Sequence, residues 1–269
     1  MVDTPRSKEA LTKLCSFLTS DPAPTREKDV LGNLFSASPE TEFQSVELEV
    51  AFLLSPAAHR VPLYFTLPHE VLPGTICLVT PPPQRKYKDE ILRLSEDGSA
   101  VAQRVKKVID TEKLGTKFVD PVTVRALANS FDHFVLIGVK KYPIQLTGEF
   151  LGHQKPPVWV PRRGGLRRKL LNAVRTVVFQ RRGGSGVTCR FGHTGLSLEQ
   201  LQDNLQSLLA QMTSHSQAIT PQDILHIRVA GTNAEGRRAG LPIFVHSFQI
   251  PRKLPRTQSE EPKAKKPKK

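Results

Sequence analysis

The stretch CRFGHTGLSLEQLQDNLQSLL, residues 189–209, decides the fold. Its start continues an apolar alternation through Val187, Cys189 and Phe191, which predicts a half-buried strand. Ser197 to Gln200 then has the spacing of a capping box and opens the strongest helix pattern in the chain. The leucines that follow share one side of that helix, which is typical of burial in a core, although such a stripe can also bind a partner protein.

Similar two-residue alternation occurs in the first and last thirds of the chain, and it predicts an α+β domain. We expect residues 46–52 and 61–67 to form one hairpin, and residues 176–179 and 187–191 to form another. Further strands are predicted around 224–229 and 241–248. Thr4-Pro5 opens an amphipathic N-terminal helix that Asp21-Pro22 ends.

The middle third differs, because short, continuously apolar strands alternate there with helical stretches. The predicted strands are Ile76–Val79, Lys117–Val119 and His133–Ile137, and the predicted helices are Ala100–Val108 and Val122–Ala128. Alternating β and α elements predict a small parallel three-layer domain. We therefore expect a combined α/β and α+β fold, in which an α/β domain is inserted into a split α+β domain.

Positive charge is concentrated in two blocks of the chain. The formal net charge is +14, and nine basic residues with no acidic residue lie between Lys155 and Arg182. A second block, residues 251–269, holds eight basic and two acidic residues, so the rest of the chain has almost no net charge. A basic surface that only aids solubility would be spread evenly, whereas this segregation favours a polyanionic partner such as nucleic acid.

Residues 251–269 combine prolines and lysines with almost no apolar residue, so we expect a disordered tail that serves nuclear import or contacts nucleic acid. The sequence contains no apolar run long enough for a membrane span and no signal-peptide pattern, so we expect no membrane partner. Cys15, Cys77 and Cys189 are odd in number and widely spaced, which predicts core thiols in a reducing compartment.

The order of these elements resembles the ribosomal L-one family. The matching stretches are Ser45-Val46-Glu47-Leu48, Leu67-Pro68-His69, Arg190-Phe191-Gly192-His193-Thr194-Gly195 and Asp203-Asn204-Leu205. Within the family, Asn129-Ser130-Phe131-Asp132 and Gly240-Leu241-Pro242-Ile243-Phe244 resemble the nucleolar proteins that assist ribosome assembly. The mature stalk protein has a Phe where this chain has Glu42, with Phe43 one residue away, and a Thr-Met-Gly turn that this chain lacks.

The resemblance implies a two-domain RNA-binding fold, with a split α+β outer domain and an inserted Rossmann-like three-layer α/β domain that moves about two linkers. The expected segments are an N-terminal helix and linker (1–39), the split RNA-binding domain (40–72 and 173–250), the inserted domain (73–172) and the basic tail (251–269). We expect the linkers at Leu67–Thr75 and Pro161–Asn172.

Together, the charge pattern and the resemblance predict the RNA-binding residues. The candidates are Ser45, Arg162, Arg163, Arg167, Arg168, Lys169, Arg175, Arg181, Arg182, Arg190 and His193. His193 is expected to be structural or to contact RNA rather than to act as an acid or base, because no partner for a catalytic relay is evident nearby.

Other candidate sites have weaker patterns. Gly183-Gly184-Ser185-Gly186 fits a hairpin tip better than a nucleotide loop, because predicted strands flank it and no Lys-Ser/Thr follows. No histidine or cysteine spacing predicts a metal site. Trp159 could stack on a base or pack in the core, and Tyr142 before Pro143 could stack or form a turn.

The sequence thus favours a non-catalytic rRNA-binding factor of ribosome biogenesis in the nucleolus. Its expected partners are pre-rRNA or rRNA, assembly factors and ribosomal proteins, with no cofactor, metal, membrane or small-molecule substrate. One alternative is a mature large-subunit stalk protein. Another, a nucleotide-using enzyme with the α/β domain as its active site, lacks a phosphate-binding motif.

Overall fold

A computed structural model describes residues 4–19, 43–54, 57–58, 62–146, 155–161, 163–215, 218–219 and 221–247. The helices are α1 (Thr4–Thr19), α2 (Gln84–Glu96), α3 (Ala100–Gln103), α4 (Thr111–Lys117), α5 (Pro121–Ser130), α6 (Leu166–Val174) and α7 (Leu198–Ser214). The strands are β1 (Ser45–Phe52), β2 (Leu63–Thr66), β3 (Ile76–Thr80), β4 (Val105–Asp110), β5 (His133–Ile137), β6 (Val158–Val160), β7 (Thr176–Phe179), β8 (Gly186–His193), β9 (Ile224–Thr232) and β10 (Arg238–Val245).

The outer domain is built on an antiparallel sheet with the strand order β10-β9-β1-β8. Every second residue of β1 is buried, so one face of the sheet points into the core and the other remains partly accessible. The apolar faces of α1 and α7 lie in the same core as the buried side of this sheet. The capping box of α7 is confirmed, since the Ser197 and Gln200 side chains each accept a hydrogen bond from the other residue's backbone N–H.

Helix α1 packs closely against the outer sheet. Leu11, Leu14 and Leu18 are buried in the outer core, so the N-terminal helix covers this sheet. A Cβ atom at Gly231 of β9 would lie 2.9 Å from Leu18 Cδ1 and 3.1 Å from the Ser45 carbonyl oxygen. A side chain at this position would therefore require Leu18 of α1 to shift.

The two hairpins expected in the outer domain are not formed. Strand β2 pairs with β7, Leu63 lying opposite Phe179 and Thr66 opposite Thr176, whereas β1 pairs with β8 and β9. The reason is topological: β2 leads into the inserted domain and β7 returns from it, so the exit and return strands run side by side. Together they form a two-stranded ribbon.

The inserted domain has a parallel sheet with the strand order β4-β3-β5-β6. One apolar cluster joins a face of this sheet to α2, α3 and α6, and a second joins the opposite face to α4 and α5. All residues of β3 and β5 are buried, as expected of strands covered on both faces. The predicted split α+β domain with an inserted three-layer α/β domain is confirmed.

Two expectations for this domain are wrong in detail. The helix expected over Ala100–Val108 ends at Gln103, and residues 105–110 form β4 instead. Exposed Lys106 and Lys107 on this edge strand interrupt its apolar run and hide the strand pattern. The strand expected at Lys117–Val119 is not formed, because Lys117 ends α4.

The second linker also differs from the expected Pro161–Asn172. Helix α6 packs into the core of the inserted domain through Leu166, Leu170, Ala173 and Val174. The chain therefore leaves this domain only after Val174, where that carbonyl accepts hydrogen bonds from the Val71 and Leu72 amides at 2.8 and 3.1 Å. The exit and return segments are thus hydrogen-bonded to each other beyond β2 and β7.

The exit segment is also fixed by side chains of both domains. The buried Asn204 of α7 accepts a hydrogen bond from the His69 amide and donates one to the Phe191 carbonyl, both at 3.0 Å. Arg104 of the inserted domain pairs with Glu70 and donates to the Leu72 carbonyl at 3.1 Å. The segment between the domains is thus held at both ends.

Candidate nucleic-acid interface

The first group of candidate residues lies where β1 starts and β8 ends. Ser45 and His193 are directly paired across these antiparallel strands. The Gly195 amide donates to His193 Nδ1 at 3.1 Å, which leaves the ring proton on Nε2. Burial, followed by the charges of Arg104 and Arg190, lowers the pKa of His193 to about 4. His193 is therefore a neutral hydrogen-bond donor at neutral pH.

Phe43 belongs to the same group, although the sequence analysis did not choose it. Its ring centroid lies 5.1 Å from that of His193, and its side chain is about half exposed. A Cβ atom at Gly195 would lie 2.5 Å from Phe43 Cε1, so the glycine makes room for the ring. The resemblance to the stalk protein places its Phe at Glu42, which lies outside the described residues. A shift of one residue in that match would place it at Phe43.

Arg190 extends this group towards the inserted domain. Its backbone lies opposite that of Glu47 in the pairing of β8 with β1, and its side chain is partly buried. Burial lowers the pKa of its guanidinium, and the charges of Glu47 and Asp132 partly oppose that effect. Besides burial, the positive charge of Arg190 lowers the pKa values of His133 and Lys155. These two residues lie with Asp132 at the amino-terminal edge of the parallel sheet. A positive charge thus faces the boundary between the two domains.

Asp132 is occupied within the inserted domain and does not neutralise Arg190 by direct contact. Its Oδ2 accepts hydrogen bonds from the Thr75 amide and hydroxyl, both at 2.8 Å. Although burial opposes ionisation, these hydrogen bonds and the charges of His133 and Lys155 lower the pKa of Asp132. Asp132 also approaches Gly74, whose φ of +85° favours glycine.

The second group lies on the solvent side of α6. Leu166, Leu170 and Val174 bury one face of this helix, which turns Arg167, Arg168 and Arg175 outwards. Arg163, just before the helix, is also exposed, and Lys169 is half-buried. Arg162 lies outside the described residues, as does the basic tail at 251–269. The exposed face of α6 therefore carries several positive charges, and the sequence from Lys155 to Arg182 contains no acidic residue.

The third group, Arg181 and Arg182, lies at the opposite end of the outer sheet. Arg181 donates from Nε and Nη2 to the Ala218 carbonyl, and its guanidinium carbon lies 5.9 Å from the centroid of the Phe52 ring. Arg182 is exposed. Phe52 is at the far end of β1 from Ser45, about 23 Å away for a strand of that length. The candidate residues therefore form three separate groups.

Two acidic side chains on the accessible face of the outer sheet share an arginine partner. The Arg238 guanidinium contacts Glu47 at 2.8 Å and Glu49 at 2.6 Å, and the hydrogen bond that it donates to Glu49 is the largest reason that the pKa of Arg238 is raised. Alternation along β1 predicted that Glu47 and Glu49 face away from the core, but their partner is 189 or more residues away. Paired in this way, the two carboxylates repel an approaching phosphate less.

The comparison with protein families assigns this fold. Residues 33–234 match the model of the Ribosomal protein L1p/L10e family. The chain belongs to this family. The predicted family membership is therefore confirmed, and the match includes β1, the inserted domain and α7.

A curated relative adds to the family match. The chain is 25% identical over 227 residues to a Schizosaccharomyces pombe protein named "Putative ribosome biogenesis protein". The aligned region covers 78% of this chain and 59% of the relative, so the chain spans little more than half of that protein's length.

Other types of site find little support in the described part of this L1p/L10e family member. Among the described residues, no group of His, Cys, Asp and Glu side chains is arranged to hold a metal ion. No helix within the described ranges is both long and apolar enough to cross a membrane. Cys77 and Cys189 are buried thiols, and burial raises the pKa of each to about 12, so they are unreactive core residues. Gly183 to Gly186 connect β7 to β8 as an exposed turn between strands.

Proposed function

We propose that this protein is a non-catalytic rRNA-binding factor of ribosome biogenesis that acts in a nucleolar pre-ribosomal particle. Membership of a ribosomal-protein family supports a ribosome-related role. The resemblance to a protein named for ribosome biogenesis favours assembly over a place in the mature stalk. No described cluster has the nucleophile, base and orienting group of a catalytic relay, so we propose no enzymatic activity.

One observation carries the RNA-binding part of the proposal, namely the exposed basic face of α6. Arg167, Arg168 and Arg175 project from a helix whose opposite side is anchored in the core of the inserted domain. Arginines fixed on a rigid helix can contact phosphates at a smaller loss of conformational entropy than those on a mobile segment. Exposed Arg163 and Arg182 and half-buried Lys169 are further proposed phosphate contacts, and Arg162 is proposed from the sequence alone.

The group formed by Ser45, Arg190 and His193 is proposed as a second RNA contact. A neutral His193 and the Ser45 hydroxyl suit hydrogen bonds to sugar or base edges, while the Arg190 guanidinium suits a phosphate. Arg181 contributes less, because its guanidinium is bonded to the Ala218 carbonyl. We further propose the domain limits expected from the sequence, 40–72 with 173–250 and 73–172, except that Ala173 and Val174, the last residues of α6, belong to the inserted domain.

The proposed partners are pre-rRNA or rRNA, assembly factors and ribosomal proteins. Sedimentation of nuclear extracts through a gradient tests this: the protein should travel with precursor particles and be absent from mature subunits. Crosslinking followed by sequencing of the bound RNA should recover one rRNA region. Persistent association with mature subunits would instead indicate a stalk protein, and sedimentation away from all ribosomal particles would refute the proposal.

A further inference from the structure

Trp159 is an exposed aromatic residue on the edge of the inserted domain. It lies in the middle of β6, which among the described strands pairs only with β5 and so forms one edge of the parallel sheet as described. Its neighbours Val158 and Val160 are buried in the core, whereas Trp159 points to the other side and is 41% exposed. The single tryptophan of the chain is thus not buried in the core.

The indole ring is held in place by a hydrogen bond to the segment that follows β5. Its Nε1 donates a hydrogen bond to the Val139 carbonyl at 3.1 Å. The polar atom of the side chain is therefore satisfied inside the protein, and the accessible part of the residue is apolar ring. A ring fixed in this way would lose little conformational entropy if a ligand covered it.

Two lysines follow the residue that accepts this hydrogen bond. Lys140 follows the carbonyl that accepts the indole hydrogen bond, and both Lys140 and Lys141 are exposed. Residues 133–146 and 155–161, which include β5 and β6, contain no acidic residue, and Glu149 of the intervening segment lies outside the described residues. The surface therefore combines an immobilised aromatic face with positive charge.

We propose that Trp159 stacks on an unpaired base of single-stranded RNA, while Lys140 and Lys141 contact the adjacent phosphates. Every base has a π face, and stacking on an aromatic ring beside cations is the usual means by which proteins hold unpaired nucleotides. A protein partner is less favoured, because two exposed lysines follow the Val139 carbonyl that holds the ring, and lysine is depleted in protein interfaces. The inference rests on the proposed RNA-binding function, to which it adds an unpaired stretch as the substrate class.

The fluorescence of the single tryptophan provides a direct test. The full chain is titrated with short single-stranded oligo(A) and with the same strand annealed to its complement, and binding is followed separately by the anisotropy of a dye on the RNA. Stacking predicts that the single strand quenches Trp159 emission with the same midpoint as the anisotropy change. The duplex should quench it much less.

Variants separate stacking from charge. Trp159→Ala should weaken single-strand binding by about 5- to 150-fold, the range expected for loss of one stacked base, and Trp159→Phe should restore most of it. Joint replacement of Lys140 and Lys141 by Ala should flatten the slope of log affinity against log salt by up to about 1.4. Leu92→Ala is the matched control, because Leu92 is an exposed apolar residue on α2 of the same domain.

The outcomes distinguish this inference from the proposed function. If oligo(A) binds without changing Trp159 emission, and Trp159→Ala binds as tightly as wild type, the stacking site is wrong and RNA binding stands. If neither single-stranded nor duplex RNA nor an rRNA fragment binds the full chain, the proposed function fails and the stacking site with it. Because quenching is measured on the wild-type chain, the test does not depend on any variant folding.

Discussion

Replacement of Asn204 by alanine tests whether one buried amide holds the segment between the domains. Asn204 is fully buried, and its two hydrogen bonds, both 3.0 Å long, satisfy the His69 amide and the Phe191 carbonyl. Phe191 lies where the pairing of β1 with β8 skips a residue, since Val46 is opposite Gly192 and Glu47 is opposite Arg190. Asn204 is therefore the side-chain partner of the residue at this bulge.

The expected loss follows from the two groups that the substitution would leave unpaired. A buried donor or acceptor without a partner costs about 1–3 kcal/mol, so the loss of both hydrogen bonds in Asn204→Ala should lower the free energy of unfolding by about 2–6 kcal/mol. Urea unfolding followed by far-ultraviolet circular dichroism measures this loss. Hydrogen exchange at the His69 amide should accelerate as well, because that donor loses its acceptor.

Two further variants make the test specific. Gln206→Ala changes an exposed residue of the same helix and should alter the free energy of unfolding by less than about 0.5 kcal/mol. Asn204→Asp keeps an acceptor for His69 but, when ionised, cannot donate to Phe191. An Asn204→Ala protein with wild-type stability and a protected His69 amide would show that water replaces the side chain and that the reasoning is wrong.

Three other perturbations have defined outcomes. Leu205→Ala should destabilise by about 2–5 kcal/mol through a cavity in the outer core while leaving the bound RNA unchanged, and intact stability with lost RNA affinity would make α7 an interface. The pKa of His193 is lowered from 6.5 to about 4, so between these pH values the unfolded chain binds a proton that the folded chain does not. The free energy of unfolding should therefore fall as the pH drops from about 6.5 towards 4. His193→Gln should flatten this pH dependence, as measured by urea titrations at each pH. Replacing Arg163, Arg167 and Arg168 by Ala should flatten the salt dependence of binding to an rRNA fragment by up to about 2.7, and an unchanged slope would remove α6 from the interface.

Local patterns predicted the elements of this fold well where the signal lies within one segment. Ser197 and Gln200 form the expected cap, and the leucines of α7 lie on the expected buried side. The middle third has the expected parallel sheet because its strands are buried on both faces and are continuously apolar. These features depend on residues close together in the chain.

Strand pairing could not be predicted in the same way. The alternation in β2 indicates a half-buried strand but not its partner, which lies more than 100 residues later in β7. The nearest strand in sequence was therefore the wrong choice, since an entire domain separates β2 from β7. The same limit applies to Arg238, whose contacts with Glu47 and Glu49 depend on the order β10-β9-β1 within the sheet.

The candidate RNA residues show what a charge count can and cannot establish. The block from Lys155 to Arg182 is continuous in sequence, yet α6 directs some of its arginines to solvent while Arg181 bonds a backbone carbonyl of its own domain. Charge segregation indicates a polyanionic partner, but it does not indicate which guanidinium groups remain available. That depends on tertiary contacts such as the one with Ala218.

The arrangement of the three groups also bears on how RNA would be selected. Phosphate contacts position a nucleic acid but carry no sequence information, so the α6 arginines can supply affinity without choosing a site. Selection of an RNA sequence or shape then depends on the groups proposed to contact bases or sugars. These are Ser45, His193 and Trp159. The C-terminal end of α6 is hydrogen-bonded to the exit segment through Val174, and Asn204 fixes that segment to the outer domain. These hydrogen bonds, together with the β2–β7 ribbon and the contacts of Arg104, connect the basic helix to the outer domain that carries Ser45 and His193, and an RNA that contacts both would be selected for the distance between them.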